Sequence, residues 1–111
     1  MNINPQAEAI RDLNDWFRCT LEGGAVLLTA GVIALGCEAQ ARIIAAVRTF
    51  DDFTTDNDPH GEHDFGALDV EGERIFFKLD YYDPTRAMHS DDPADPSKTE
   101  RVLTIMLASE Y

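Results

Sequence analysis

Asp56, Asp58, His60, Glu62, His63 and Asp64 crowd into one stretch, 51-DDFTTDNDPHGEHDFG-66, which holds six acids, two histidines and no lysine or arginine. Carboxylates alone suit Ca²⁺ or Mg²⁺, and imidazoles shift the preference toward Zn²⁺ or another transition ion. Asp56, Asp58, His60 and His63 are therefore candidate metal ligands. Two familiar geometries fit poorly. Asp56-x-Asp58-x-His60-Gly61 starts like a helix–loop–helix calcium site, but Ala67 stands where that loop needs its bidentate Glu. His60-x-x-His63 lacks the i, i+4 spacing of a helical zinc motif, and Pro59 and Gly61 mark a loop.

Catalysis is the second chemistry to weigh. A histidine among carboxylates can act as a general base, with Asp58 or Asp64 fixing its tautomer. The nucleophiles are weak: Cys19 and Cys37 lie far off in sequence, and Ser90, Ser97 and Ser109 sit in no strained elbow motif. No glycine-rich phosphate loop exists. A non-enzyme without a cofactor is favoured, with a divalent metal as the minority reading. The plainest alternative is a turn. In Asp56-Asn57-Asp58-Pro59 the short polar side chains can bond backbone N–H groups two residues on while proline fixes φ.

A second polar block, 78-KLDYYDP-84, places Lys78, Asp80, Tyr82 and Asp83 together. If the strand alternates through it, Tyr81 and Tyr82 point to opposite faces. An exposed tyrosine beside acids suits a protein-binding surface. A ring packed in the core with its hydroxyl at the rim is the equal alternative.

The formal charge of −12 is unevenly spread. Residues 1–50 carry four basic and five acidic groups, a net of −1; residues 51–111 carry five basic and sixteen acidic groups, a net of −11. Phosphate backbones repel such a chain, which argues against direct nucleic-acid binding. A basic protein surface, a cation or simple solubility fits instead. No apolar run is long enough to span a membrane, and the first residues lack the pattern of a secretory signal. With two cysteines in no metal-like spacing, the expectation is a reduced, cytoplasmic protein.

The elements that must position these residues read as follows. Asn4-Pro5 caps and starts a helix with an apolar stripe of Ile10, Leu13, Phe17 and Leu21, flanked by Trp16 and stopped by Gly23-Gly24. Ala25–Thr29 is apolar on both faces and predicts a buried strand. A second helix follows Gly36, with Ile43, Ile44 and Val47 inward. From Phe65 the period becomes two, and Glu71-Gly72 is the tight turn of a hairpin. Residues 83–100 are a loop, and Val102–Ala108, apolar on both faces, fits a closing, central strand, though one short helix would also fit. The predicted architecture is α+β: one domain over residues 1–111, order α-β-α-β-β-β, a small antiparallel sheet with two helices on one face.

The runs DFTTDNDPHGEHDFG, GERIFFKLDYYDP and RVLTIMLASEY, with GGAVLLTAGVIAL before them, resemble a family of small bacterial proteins known only as domain of unknown function 3768. The resemblance covers about residues 8–111. It implies a stand-alone bacterial domain, often found with plasmid or other mobile-element genes. It assigns no catalytic residue. The function expected from all of this is a small acidic binding protein, monomeric or homodimeric, that engages a basic protein surface as an inhibitor or nucleic-acid mimic. A metal-dependent site in the 56–64 loop is the first alternative. The second is a dimerising module in which Val102–Ala108 or an unpaired hairpin edge pairs across a two-fold axis.

Overall fold

A computed structural model describes residues 5–111, so the capping role expected of Asn4 lies outside the described residues. The first helix, α1 (Pro5–Thr20), leads into strand β1 (Gly24–Leu28). A single turn, α2 (Ala30–Ile33), and a longer helix, α3 (Cys37–Arg48), follow. After the acidic loop come β2 (Phe65–Val70), β3 (Glu73–Tyr82) and β4 (Glu100–Leu107). The expected class, α+β with helices on one face, is the observed one. The short α2 lay hidden in the uncharged run between Thr29 and Gly36.

The sheet order is β1-β4-β3-β2. The β2–β3 hairpin closes at Glu71-Gly72, both at positive φ, 57° and 75°. Such a turn matches the right-handed twist of its strands. The sheet was expected to be antiparallel, and three of its strands are. β1, however, pairs parallel to β4, from Gly24 opposite Arg101 to Leu28 opposite Ile105, so the sheet is mixed. The reason is topological. The chain leaves β1 through two helices and a hairpin before β4 returns beside it, and that long path imposes no direction on the pairing. β4 occupies the interior of the sheet, which removes it as a strand that could pair across a two-fold axis. Among the described residues the edges are β1 and β2.

Alternation along β3 and β4 divides the sheet into two unlike faces. Ile75, Phe77, Leu79 and Tyr81 of β3, with Leu103 and Ile105 of β4, pack under Ile10 and Phe17 of α1, Val32 of α2, and Ile43 and Val47 of α3. This is the core. Gly66 lets the Phe77 ring lie directly over β2, because a side chain there would run into that ring. Among the described residues the opposite face carries none of these three helices; at one end of it the ring of Tyr111, which follows a short 3₁₀ turn, packs on Phe65 and Phe76. This face displays Ala25 and Leu27 of β1, Val102 and Thr104 of β4, and Lys78, Asp80 and Tyr82 of β3.

Candidate functional site

Two polar assemblies exist, one on each face of the sheet. The first starts from α1. The apolar stripe expected there ran through Leu13 with Trp16 beside it. The buried stripe instead runs Ala7, Ile10, Asn14, Phe17 and Arg18, while Trp16 is 60 % exposed. Asn14 and Arg18, both polar, therefore face the core. Each is held there by hydrogen bonds that offset its desolvation.

Asn14 is fully buried. Its amide donates to the Glu62 carbonyl at 2.9 Å and the Tyr81 hydroxyl at 2.8 Å, and accepts from Arg101 Nε at 2.8 Å. The Tyr81 hydroxyl donates in turn to Glu62 Oε1 at 3.0 Å. Burial, opposed by the Asn14 bond, pushes the Tyr81 phenol far above its usual range, so it stays protonated. Arg18 donates to the carbonyls of Val47, Arg48 and Phe50, at 2.9, 3.3 and 2.8 Å, and so closes the C-terminal end of α3. Its guanidinium also reaches Asp15 at 3.1 Å and lies near the Phe53 and Phe77 rings.

The acidic loop docks onto this frame. Asn57 accepts from the backbone N–H of Thr54 at 2.7 Å and donates to the Asp52 carbonyl, so its side chain closes the turn backward along the chain, not onto an N–H two residues on. Asp58 is buried, and its carboxylate accepts the His63 N–H at 3.2 Å. His63 adopts a left-handed φ of 55°. Its ring stacks flat on Phe53, centroids 3.8 Å apart, with Nδ1 on Asp15 at 2.9 Å and Nε2 3.7 Å from Asp58. Asp64 is half-buried, and its carboxyl is raised above the ordinary value by burial first and by the Glu62 charge second.

The candidate ligands thus separate. Asp58 and His63 meet, whereas Asp56 and His60 are exposed, and Glu62 and Asp64 turn toward Tyr81. Among the described residues no three His, Cys, Asp or Glu side chains are grouped to hold a metal ion. Both cysteines are free and exposed.

The second assembly is on the helix-free face. Lys78 pairs with Asp80 at 3.2 Å, and Tyr82 lies further along the same strand. With Ala25, Leu27, Val102 and Arg86 they line a shallow recess of about 400 Å³. Asp83, at its end, is a turn residue: its carboxylate accepts from Thr85 Oγ1 at 2.7 Å and from the Thr85 and Ala87 amides. The Thr85 hydroxyl bond holds it below the usual carboxylate range. The ten candidate surface residues therefore do not form one surface: Asp58, Glu62, His63 and Asp64 lie toward the helix side, Asp56 and His60 are exposed on the loop, and Lys78, Asp80 and Tyr82 line the open face with Asp83 in the turn beyond. Sequence reasoning missed Asn14, Arg18 and Arg101. The available signal was that Asn14 lies between Ile10 and Phe17 at helical spacing, where a polar residue demands a partner.

No helix among the described residues is long and apolar enough to cross a membrane. A family model described as protein of unknown function (DUF3768) matches residues 28–110. No curated protein and no solved structure gave a match.

Proposed function

The chain belongs to the DUF3768 family, and we propose that it is a non-catalytic binding protein whose working surface is the helix-free face of the sheet. The observation that carries this reading is that face itself: among the described residues α1, α2 and α3 all lie on the other side of the sheet, Leu27 stands 53 % exposed on it, and Lys78, Asp80 and Tyr82 form a polar-aromatic row across β4 from Leu27. The polar groups of the acidic loop support it from the other side. Asp58, Glu62 and His63 are engaged in bonds that hold the loop to α1 and β3, which accounts for them without a reaction.

The partner is a protein with a basic surface. Sixteen acids against five basic groups in residues 51–111 set up a negative field that attracts such a surface and repels nucleic acid. In the sharpest form of the reading the protein occupies a surface that its partner otherwise offers to nucleic acid, and so inhibits it.

Capture from a native host extract tests this. Immobilised protein should retain basic proteins in dilute buffer and release them at 1 M salt, where screening shortens from about 10 Å at 0.1 M to about 3 Å. The Tyr82→Ala, Leu27→Ala double variant should retain them poorly. Retention that ignores both salt and the double variant overturns the proposal.

A further inference from the structure

Strand β1 has a neighbour, β4, on one side and none on the other among the described residues. The Thr29 N–H donates to the Ile105 carbonyl at 3.1 Å, so by alternation Ala25 and Leu27 also turn their N–H and C=O groups toward β4. Those of Gly24, Val26 and Leu28 point outward. Among the described residues no turn, loop or side chain takes them up.

Sheet edges are ordinarily guarded by a charge, a proline or a bulge. The other edge, β2, carries Asp69, and Arg42 of α3 pairs with Glu71 at its turn. β1 has no such guard. Its sequence is Gly-Ala-Val-Leu-Leu, and residues 23–37 around it are the longest run in the chain without a charged residue. Leu27 and Ile33, both exposed, fall in that run.

We infer that β1 of a second copy occupies this edge, paired antiparallel about a two-fold axis through Val26. Charge favours a copy there: a chain of net −12 repels its own kind least along its uncharged run, and the free edge lies within it. The strand is also complementary to itself. Val26 exchanges two backbone bonds with its counterpart, and Gly24 does the same with Leu28 of the copy. Leu27 comes to lie beside Ala25 of the copy on the helix-free side, and Leu28 beside Gly24 on the helix side, so each leucine meets a small residue. The two sheets join into one, with the helices on one side and both helix-free faces on the other. A pair of such short strands buries less than a standard interface of about 1,600 Å², so the dimer is a reversible, micromolar one.

Sedimentation equilibrium of the full chain alone, across micromolar concentrations, tests this. A monomer–dimer equilibrium should appear, and added salt should tighten it several-fold by screening the repulsion between copies. Salt releases a basic partner, so the two associations respond to it in opposite directions. Amide hydrogen exchange reads the edge itself. The Gly24, Val26 and Leu28 amides should gain protection as concentration rises, while those of Ala25 and Leu27, already bonded to β4, should not. Val26→Pro removes an outward donor, spares the β1–β4 ladder and should weaken the dimer by about tenfold or more. Leu27→Lys, at an exposed position, adds the missing guard charge and should also weaken it, although it lowers the net charge. A chain that stays monomeric at millimolar concentration overturns the proposal. So does a dimer without new protection at Val26 and Leu28, or one indifferent to Leu27→Lys, because its contact lies elsewhere. Oligomers that grow without limit overturn it too, since a two-fold pair closes. No basic partner is present in these measurements, so their failure is separate from a failure of protein capture.

Discussion

Individual side chains decide whether the acidic loop is chemistry or architecture. Asp58 is buried and accepts the His63 amide, so its removal leaves a part-buried donor without that partner. Asp58→Ala should cost about 1–3 kcal/mol, measured by urea unfolding. Asp64 makes the opposite prediction. Its folded carboxyl sits above the ordinary value, chiefly through burial, so its contribution to stability is present below the unfolded carboxylate range and lost as pH rises through the folded value. At neutral pH the ionised group therefore opposes folding. Asp64→Asn should raise the melting temperature at pH 7, and the gain should vanish below about pH 4, the ordinary carboxylate value. At this scale the sequence is legible in part. Asn57 and Asp58 announce a turn by type alone. Asn14, Arg18 and Arg101 do not announce burial, because their partners lie 67, 29 and 87 positions away.

Among the elements, the hairpin was the most readable. Strict alternation through Ile75, Phe77, Leu79 and Tyr81, and a Glu-Gly pair that accepts positive φ, fix both its faces and its register. The two long helices were readable by period, although the exact buried stripe of α1 was not. What no local pattern encodes is the direction of β1. The continuous apolar run of β1 predicts a strand buried on both faces, but β1 is an edge strand with none of its residues buried, and the run does not say which neighbour it takes. Gly66 marks the closest packing between elements. Gly66→Ala pushes a methyl into the Phe77 ring and should destabilise by about 1–3 kcal/mol, seen in chemical unfolding, with the hairpin register preserved. A destabilisation near zero would mean that Phe77 shifts freely, against its full burial.

Across the whole molecule, charge is the dominant feature. A net −12 on 111 residues repels itself in the compact state, so moderate added salt should raise the melting temperature, the reverse of what a fold held by surface ion pairs would do. The same field is what a basic partner would meet, and the helix-free face is where an apolar and aromatic contact is ready beside it. Carboxyl footprinting of the protein, free and bound to a basic protein captured from its host, tests this most directly. Binding through that face predicts loss of labelling at Asp80 and at Glu100, which pairs with Tyr82 on it, with Asp56 and Glu38 unchanged. Protection confined to the 51–64 loop, with Asp80 labelled as in the free protein, would contradict it.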